Sequence, residues 1–291
     1  MTSRQNKNDH FLRPSFTEYL IQRLQRGDSV NLYGESGIGK TRLLEDILNA
    51  DLKDILVIYI SFKGYQNSYK GFCEAVCSKT GLKGNPPENL NQIIEELKKQ
   101  GKQIFLFIDD FKYFPNNTEI DTAYNQSFID SLNSVKNTAG VSLAVVTEKP
   151  INNFIIFISK QPLLSALNLT PLKIEPLQHK ELVNEINRRF KGILKQKEKT
   201  LLASCLNQMT NNYEVMKYYE FKILTKADAG LSFDKRVDKW HNNFEKERCQ
   251  TGIKNIVKIG NSLKCWYHVL LPDKLANMIK SVTDFIKGIM K

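Results

Sequence analysis

Eight residues, Gly34-Glu35-Ser36-Gly37-Ile38-Gly39-Lys40-Thr41, hold three of the 15 glycines in a chain of 291 residues. Their spacing is G-x-x-x-x-G-K-[ST], and the chemistry it serves is phosphate binding. Glycines let the backbone take positive φ and turn its N–H groups inward around phosphate oxygens. The N-terminus of a following helix adds a partial positive charge. Lys40 is expected to reach the β- and γ-phosphates, and the Thr41 hydroxyl to ligate Mg²⁺. The run from Gly34 through Glu35, Ser36, Gly37, Ile38, Gly39, Lys40 and Thr41 to Arg42 is therefore the candidate cofactor-binding loop, with ATP and Mg²⁺ as the expected ligands.

Such a loop needs an acid at the end of a neighbouring apolar strand. Ile104-Phe105-Leu106-Phe107-Ile108-Asp109-Asp110 supplies it. Asp109 is the expected Mg²⁺-associated carboxylate, and Asp110 is expected to polarise or position the attacking water. Thr147 ends the next apolar run, Ser142 to Thr147, where a polar side chain can meet the γ-phosphate or the lytic water. The candidate catalytic set is Lys40, Asp110 and Thr147, and the candidate metal pair is Thr41 and Asp109.

These groups must be carried by alternating strands and helices. A helix is expected over Phe16 to Arg26, stopped by Gly27-Asp28. A short strand from Ser29 to Tyr33 leads into the glycine loop, and a helix from Lys40 to about Ala50 follows it. Ile55 to Phe62, Gln103 to Asp109 and Ser142 to Thr147 are continuous apolar runs, the mark of strands buried on both faces. Helices are expected near Tyr69 to Thr80, Leu90 to Gln100 and Asn125 to Lys136. This alternation means crossover connections and a parallel sheet. Leu167 to Ile174 reads as short and extended. From Gln178 onward helical periodicity dominates, with Leu182, Val183, Ile186 and Phe190 on one stripe. Ser232 to Lys291 also reads as helical, with breaks near Gly260 and Pro272.

The pieces GESGIGKT (34–41), IFLFIDD (104–110) and AVVTEKP (144–150) together resemble the P-loop ATPases of the AAA+ and STAND superfamily. The segment LNLTPLKIEPLQHKELVNEI (167–186) is similar to the strand, Pro-Leu and first lid helix of those families. The resemblance implies an α/β P-loop NTPase core with a parallel sheet, an α-helical lid and, beyond it, a basic, mostly helical C-terminal module. The expected divisions are a disordered 1–12, a core at 13–175, a lid at 176–228 and the module at 229–291. It further implies that Arg13-Pro14 touches the adenine. Two departures stand out. Lys160 is the only cation between Pro150 and Thr170, where an arginine finger is usual. The lid stretch Met209 to Glu214 contains no arginine, so a slow, switch-like or partner-completed ATPase fits better than rapid turnover.

The bulk numbers set the remaining bounds. No apolar run reaches the roughly 18 residues of a membrane span, and the N-terminus lacks an apolar signal core, so a cytoplasmic protein is expected. Cys73, Cys77, Cys205, Cys249 and Cys265 are an odd, scattered set; Cys73 and Cys77 could share a helix face, but no histidine stands near these two to complete a zinc site. The formal net charge of +11 lies wholly in residues 151–291, because residues 1–150 hold 18 basic and 18 acidic side chains. That half is the candidate surface for an anionic partner such as nucleic acid. Trp240, Trp266 and Tyr267 among lysines fit single-strand binding or a helical core equally. Pro272 to Lys291 has an apolar stripe suited to its own domain, a partner or a membrane surface. The function read from the sequence is a nucleotide-dependent conformational or assembly switch, acting on a protein partner, through self-assembly or on nucleic acid. A DNA-binding AAA+ protein of initiator or transposition-regulator type and a non-hydrolysing scaffold are the alternatives.

Overall fold

The computed structural model describes residues 10–82, 87, 89–116, 121–151, 155–156, 161–162 and 167–248. It forms two compact units, residues 1–220 and 221–291. The expectations for Gly260, Trp266, Tyr267 and the helix from Pro272 to Lys291 lie outside the described residues.

The first unit is built on a five-stranded parallel sheet. Its strands are β1 (Val30–Tyr33), β2 (Ile55–Ser61), β3 (Gln103–Asp109), β4 (Val141–Thr147) and β7 (Thr170–Lys173), in the spatial order β2-β3-β4-β1-β7. Two short strands, β5 (Ile155–Ile156) and β6 (Gln161–Pro162), form a separate antiparallel pair. The first-half helices are α1 (Pro14–Gln25), α2 (Lys40–Leu48), α3 (Tyr69–Thr80), α4 (Leu90–Lys98) and α5 (Gln126–Asn137). Their sequences explain their limits. Pro14 opens α1, where a missing N–H costs nothing. Ser68, Asn89 and Asn125 each accept a backbone N–H at the start of α3, α4 and α5. Gly81 ends α3 in the left-handed region.

Of the apolar runs read as doubly buried strands, β3 and β4 are so buried, whereas β2 lies at the sheet edge and is only partly buried at five of its seven positions. Along β3, Ile104, Leu106 and Ile108 face one core with α3, α4 and α5, while Phe105 and Phe107 face another with α1 and α2. This two-sided burial explains why the run has no polar alternation. At the centre of the first core, Phe62 is fully buried among the rings of Phe72, Phe111, Phe114, Tyr124 and Phe128, at centroid distances of 4.9–6.3 Å. Aromatic pairs at such separations add stability beyond their buried area. Cys73 and Cys77 are free, buried thiols on α3 beneath this cluster.

Three helices follow the sheet: α6 (His179–Arg189), α7 (Gln196–Leu206) and α8 (Asn212–Leu224). Asn212 anchors the start of α8, accepting from the Leu177 N–H at 3.1 Å and donating to its carbonyl at 2.9 Å. In the second unit a helix, α9, covers residues 233–248. Phe233, Val237, Trp240 and Phe244 form its buried stripe. The indole N–H of Trp240 donates to Asp228 Oδ2 at 2.9 Å. Here Trp240 is a core residue with its one donor satisfied.

Phe62→Ala removes the ring shared by this cluster. It is expected to cost about 3–5 kcal/mol of stability, measured as a lower midpoint in chemical or thermal unfolding.

Candidate functional site

The strand order places the functional groups. β1, β4 and β3 are neighbours, so the loop after Tyr33 and the ends of β4 and β3 come together on one edge of the sheet. In open α/β sheets this carboxyl edge is where ligands bind. A cavity of about 320 Å³ lies there. Of the sequence-expected residues, Ser36, Gly37, Gly39, Lys40, Thr41, Arg42, Asp109, Asp110 and Thr147 border it.

The loop has the backbone its glycines permit. Gly37 and Gly39 have φ of 84° and 93°, and Gly39 caps α2. A Cβ on Gly34 would lie 2.6 Å from the Ile174 carbonyl oxygen, so the loop passes close to the end of β7. Lys40 Nζ donates to the carbonyls of Gly34 and Glu35, each at 2.7 Å. Burial holds the Lys40 pKa below its ordinary value, despite nearby carboxylates. Ile38 is not part of the cavity wall; its side chain is buried in the second core.

Asp109 is 3% exposed at the end of β3. Its Oδ2 accepts from Thr41 Oγ1 at 2.7 Å and from the Tyr59 hydroxyl at 3.1 Å, while Oδ1 accepts from the Asp110 N–H at 2.8 Å. Burial raises its pKa, with the Asp110 charge adding to the rise and the Thr41 bond opposing it. A buried carboxylate beside a threonine hydroxyl is a hard oxygen pair suited to Mg²⁺. A cation there would offset the charge that burial disfavours. Asp110 lies in the left-handed region at φ 57°, and its Oδ2 accepts from Ser61 Oγ at 2.9 Å.

Thr147 is buried. Its hydroxyl accepts from Asn31 Nδ2 at 2.8 Å and donates to the Lys149 carbonyl at 2.6 Å. Its one proton is therefore engaged, and donation to a phosphate oxygen requires that bond to be exchanged. Asn31 also donates to the Val145 carbonyl at 3.1 Å and accepts the Ile151 N–H at 2.8 Å, fixing the end of β4 to β1.

The two arginines differ in place: Arg42 borders the cavity and Arg13 does not. Arg42 Nε donates to Asp46 Oδ1 at 2.7 Å and its Nη2 to the His10 carbonyl at 3.0 Å. Arg13, 4% exposed, donates through Nη2 to the Ile38 carbonyl at 2.8 Å and pairs with Glu181 of α6 at 3.5 Å. In this arrangement Arg13 braces the phosphate loop against the lid.

The lid contributes groups that motif reading missed. The Glu214 N–H donates to the Gly37 carbonyl at 2.9 Å, and Tyr213, Glu214 and Lys217 of α8 border the cavity. The lid arginines are occupied elsewhere. Arg188 and Arg189 both bind the buried Glu185, and Arg189 also pairs with Glu220. Tyr59 and Ser61 had a readable signal: they are two apart on β2, so they share a face. Lys112, Glu148 and Lys217 had none.

The comparisons with known proteins agree with this fold. Residues 23–153 match a family model described as an AAA domain. The Orc1 protein of Aeropyrum pernix, solved in complex with DNA, is similar at a TM-score of 0.53 and 16% identity, over 84% of this chain and 68% of that one. Domain III of the Thermotoga maritima replication initiation protein DnaA is similar at 0.51 and 18%, over 82% and 95%. A Walker-type ATPase of Pyrococcus abyssi is similar at 0.53 and 14%, over 93% and 88%. No curated protein matches the chain by sequence. Residues 23–153 thus resemble an AAA domain, and the parallel sheet with its helices has the fold of a P-loop NTPase core. No helix among the described residues is long and apolar enough to cross a membrane. Those residues also hold no cluster of metal-binding side chains of the zinc type.

Gly37→Ala would force a positive φ on alanine and bring its Cβ within 2.8 Å of Glu214 Cβ. The φ alone is expected to cost about 1–2 kcal/mol, read as a lowered thermal midpoint. Gly64→Ala, which meets nothing within 4 Å, is the matched control and should be near neutral.

Proposed function

We propose that the chain is a Mg²⁺-dependent, slowly hydrolysing ATPase that uses ATP as a conformational or assembly switch. The observation that carries this reading is the 2.7 Å Thr41–Asp109 bond at the mouth of the glycine loop, inside a cavity that the lid also borders. The loop amides and the start of α2 would hold the phosphates, and Lys40 would leave the Gly34 and Glu35 carbonyls for phosphate oxygens. Thr41 and Asp109 would hold Mg²⁺, which would supply charge neutralisation to the bound phosphates. Asp110, held by Ser61, would orient the attacking water. Thr147 would sense the γ-phosphate by exchanging its bond to Lys149. Arg13 would lie on the adenine side, behind the loop.

Slow turnover is supported by where the arginines are. Arg42, the one arginine bordering the cavity among the described residues, is tied to Asp46 and His10. A finger is worth about 10³–10⁵ in rate, so a chain without one in reach holds its triphosphate long enough to act as a timer. The STAND-like reading rests on the Asp109-Asp110 pair and on the Thr147 segment. A cytoplasmic location belongs to the same reading.

A second reading, a DNA-acting AAA+ protein of initiator type, draws support from the excess charge of residues 151–291 and from the fold shared with the DNA-complexed Orc1 protein. It requires DNA affinity that falls steeply with salt. Affinity that ignores salt, or none, rules it out.

Lys40→Ala is expected to weaken ATP binding by roughly tenfold to a hundredfold, the worth of a charged hydrogen bond or two. Equilibrium titration measures it, and unchanged affinity would falsify the site assignment. The Mg²⁺-dependent part of that affinity has a pH signature. Asp109 must be ionised to hold the cation, and its pKa lies above the ordinary 3.8. Acidification should therefore remove the Mg²⁺ gain at a higher pH than an exposed aspartate would allow, and Asp109→Asn should remove it at every pH.

A further inference from the structure

Lys112 and Glu148 form an ion pair in the wall of the phosphate cavity, and neither belongs to the motifs that define the site. Lys112 lies two residues past Asp110, on the 3₁₀ segment Phe111–Asn116 that follows β3. Glu148 follows Thr147 at the end of β4. Because β3 and β4 are parallel neighbours, the pair closes the seam between the Asp109-Asp110 end and the Thr147 end.

The pair lies within the field of the phosphate loop. Glu148 is the carboxylate whose charge acts most strongly on Lys40, and Lys112 acts on Lys40 with the opposite sign. Lys112 is also within the influence of Asp110. A triphosphate drawn to Lys40 therefore enters a region where Glu148 repels it and Lys112 attracts it. The side chains are 38% and 42% exposed, and ion pairs this exposed are weak. A γ-phosphate carrying more charge than a carboxylate is a stronger partner for the ammonium.

We propose that Lys112 is the γ-phosphate cation that this chain supplies to its own site, held by Glu148 until a triphosphate displaces that carboxylate. This rests on reading the cavity as an ATP site. ADP lacks the γ-phosphate, so with ADP Lys112 stays on Glu148. The exchange separates the two nucleotide states at the β3–β4 seam, and Glu148 is the group whose position changes with it. The cation fills in cis a role that the sequence's missing arginine leaves open.

The test uses the full chain with Mg²⁺, comparing ATP and ADP affinities by titration calorimetry and phosphate release in single turnover. Lys112→Ala should weaken ATP by about tenfold, leave ADP within about twofold, and slow phosphate release by tenfold or more. Lys112→Arg should recover most of both losses. Glu148→Gln should shift ATP affinity the opposite way, about threefold to tenfold tighter, again without moving ADP. A merely structural bridge predicts the reverse pattern: both variants lower the thermal midpoint and weaken both nucleotides alike. That result overturns the proposal, as does a Lys112→Ala variant that binds ATP and releases phosphate like wild type. Should Lys40→Ala prove harmless or the wild-type chain bind no ATP, the cavity assignment itself fails, whatever the Lys112 variants do.

Discussion

Everything at this site depends on three parallel strands ending side by side. β1 pairs with β4 so that Tyr33 lies opposite Thr147, and β3 pairs with β4 through Ile108 and Val145. A shift of one residue in either pairing would move Asp109 or Thr147 to the other face of the sheet. Register here is set by burial on both faces: Ile104, Leu106 and Ile108 must meet one core while Phe105 and Phe107 meet the other. Asn31 adds a polar lock, with three hydrogen bonds made in a fully buried position between β1, β4 and Ile151. Polar groups buried this deeply are tolerated only when satisfied. The chemistry at the rim therefore inherits its precision from apolar packing beneath it.

The rim itself is electrostatically unsettled. Asp109 is buried with its pKa raised, and Lys40 is partly desolvated and turned onto its own loop. Asp110 adopts a backbone conformation that few residues other than glycine favour. Such features are disfavoured in isolation and persist because the surrounding structure over-determines them. A triphosphate with Mg²⁺ matches them in sign and place: oxygen anions for Lys40, a divalent cation for Asp109. The lid fits the same logic, since Glu214 binds the loop at Gly37 through its backbone and leaves its carboxylate at the cavity edge.

Much of this was legible in the residues. The apolar runs ended where the strands end, β3 at Asp109 and β4 at Thr147, because doubly buried strands leave a continuous apolar signal. The glycine loop was legible because its backbone demands leave few alternatives to glycine. What escaped is contact between distant parts of the chain. The guanidinium groups of Arg13 and Arg42, both read as ligand contacts, bind the Ile38 carbonyl and Asp46. Their neighbourhood in sequence gives no hint of this. Ser61 faces Asp109 across the β2–β3 pairing, a register that no local pattern encodes. The Lys112–Glu148 pair spans 36 residues and could be found only once the strand order was known.

One linkage has mechanical meaning. Asp46 accepts the Leu12 N–H at 2.7 Å and also holds Arg42, which reaches back to the His10 carbonyl. The next residue, Arg13, grips the loop at Ile38. Residues 10–13 are thus laced to Arg42 and Asp46 of α2 and to the back of the glycine loop at Ile38 by hydrogen bonds of 2.7–3.0 Å. A tug on this strap would be felt at the loop as a change in tension, without passing through the sheet. The segment ahead of α1 is in that sense a handle on the nucleotide grip, and load applied there would tune how tightly the grip closes.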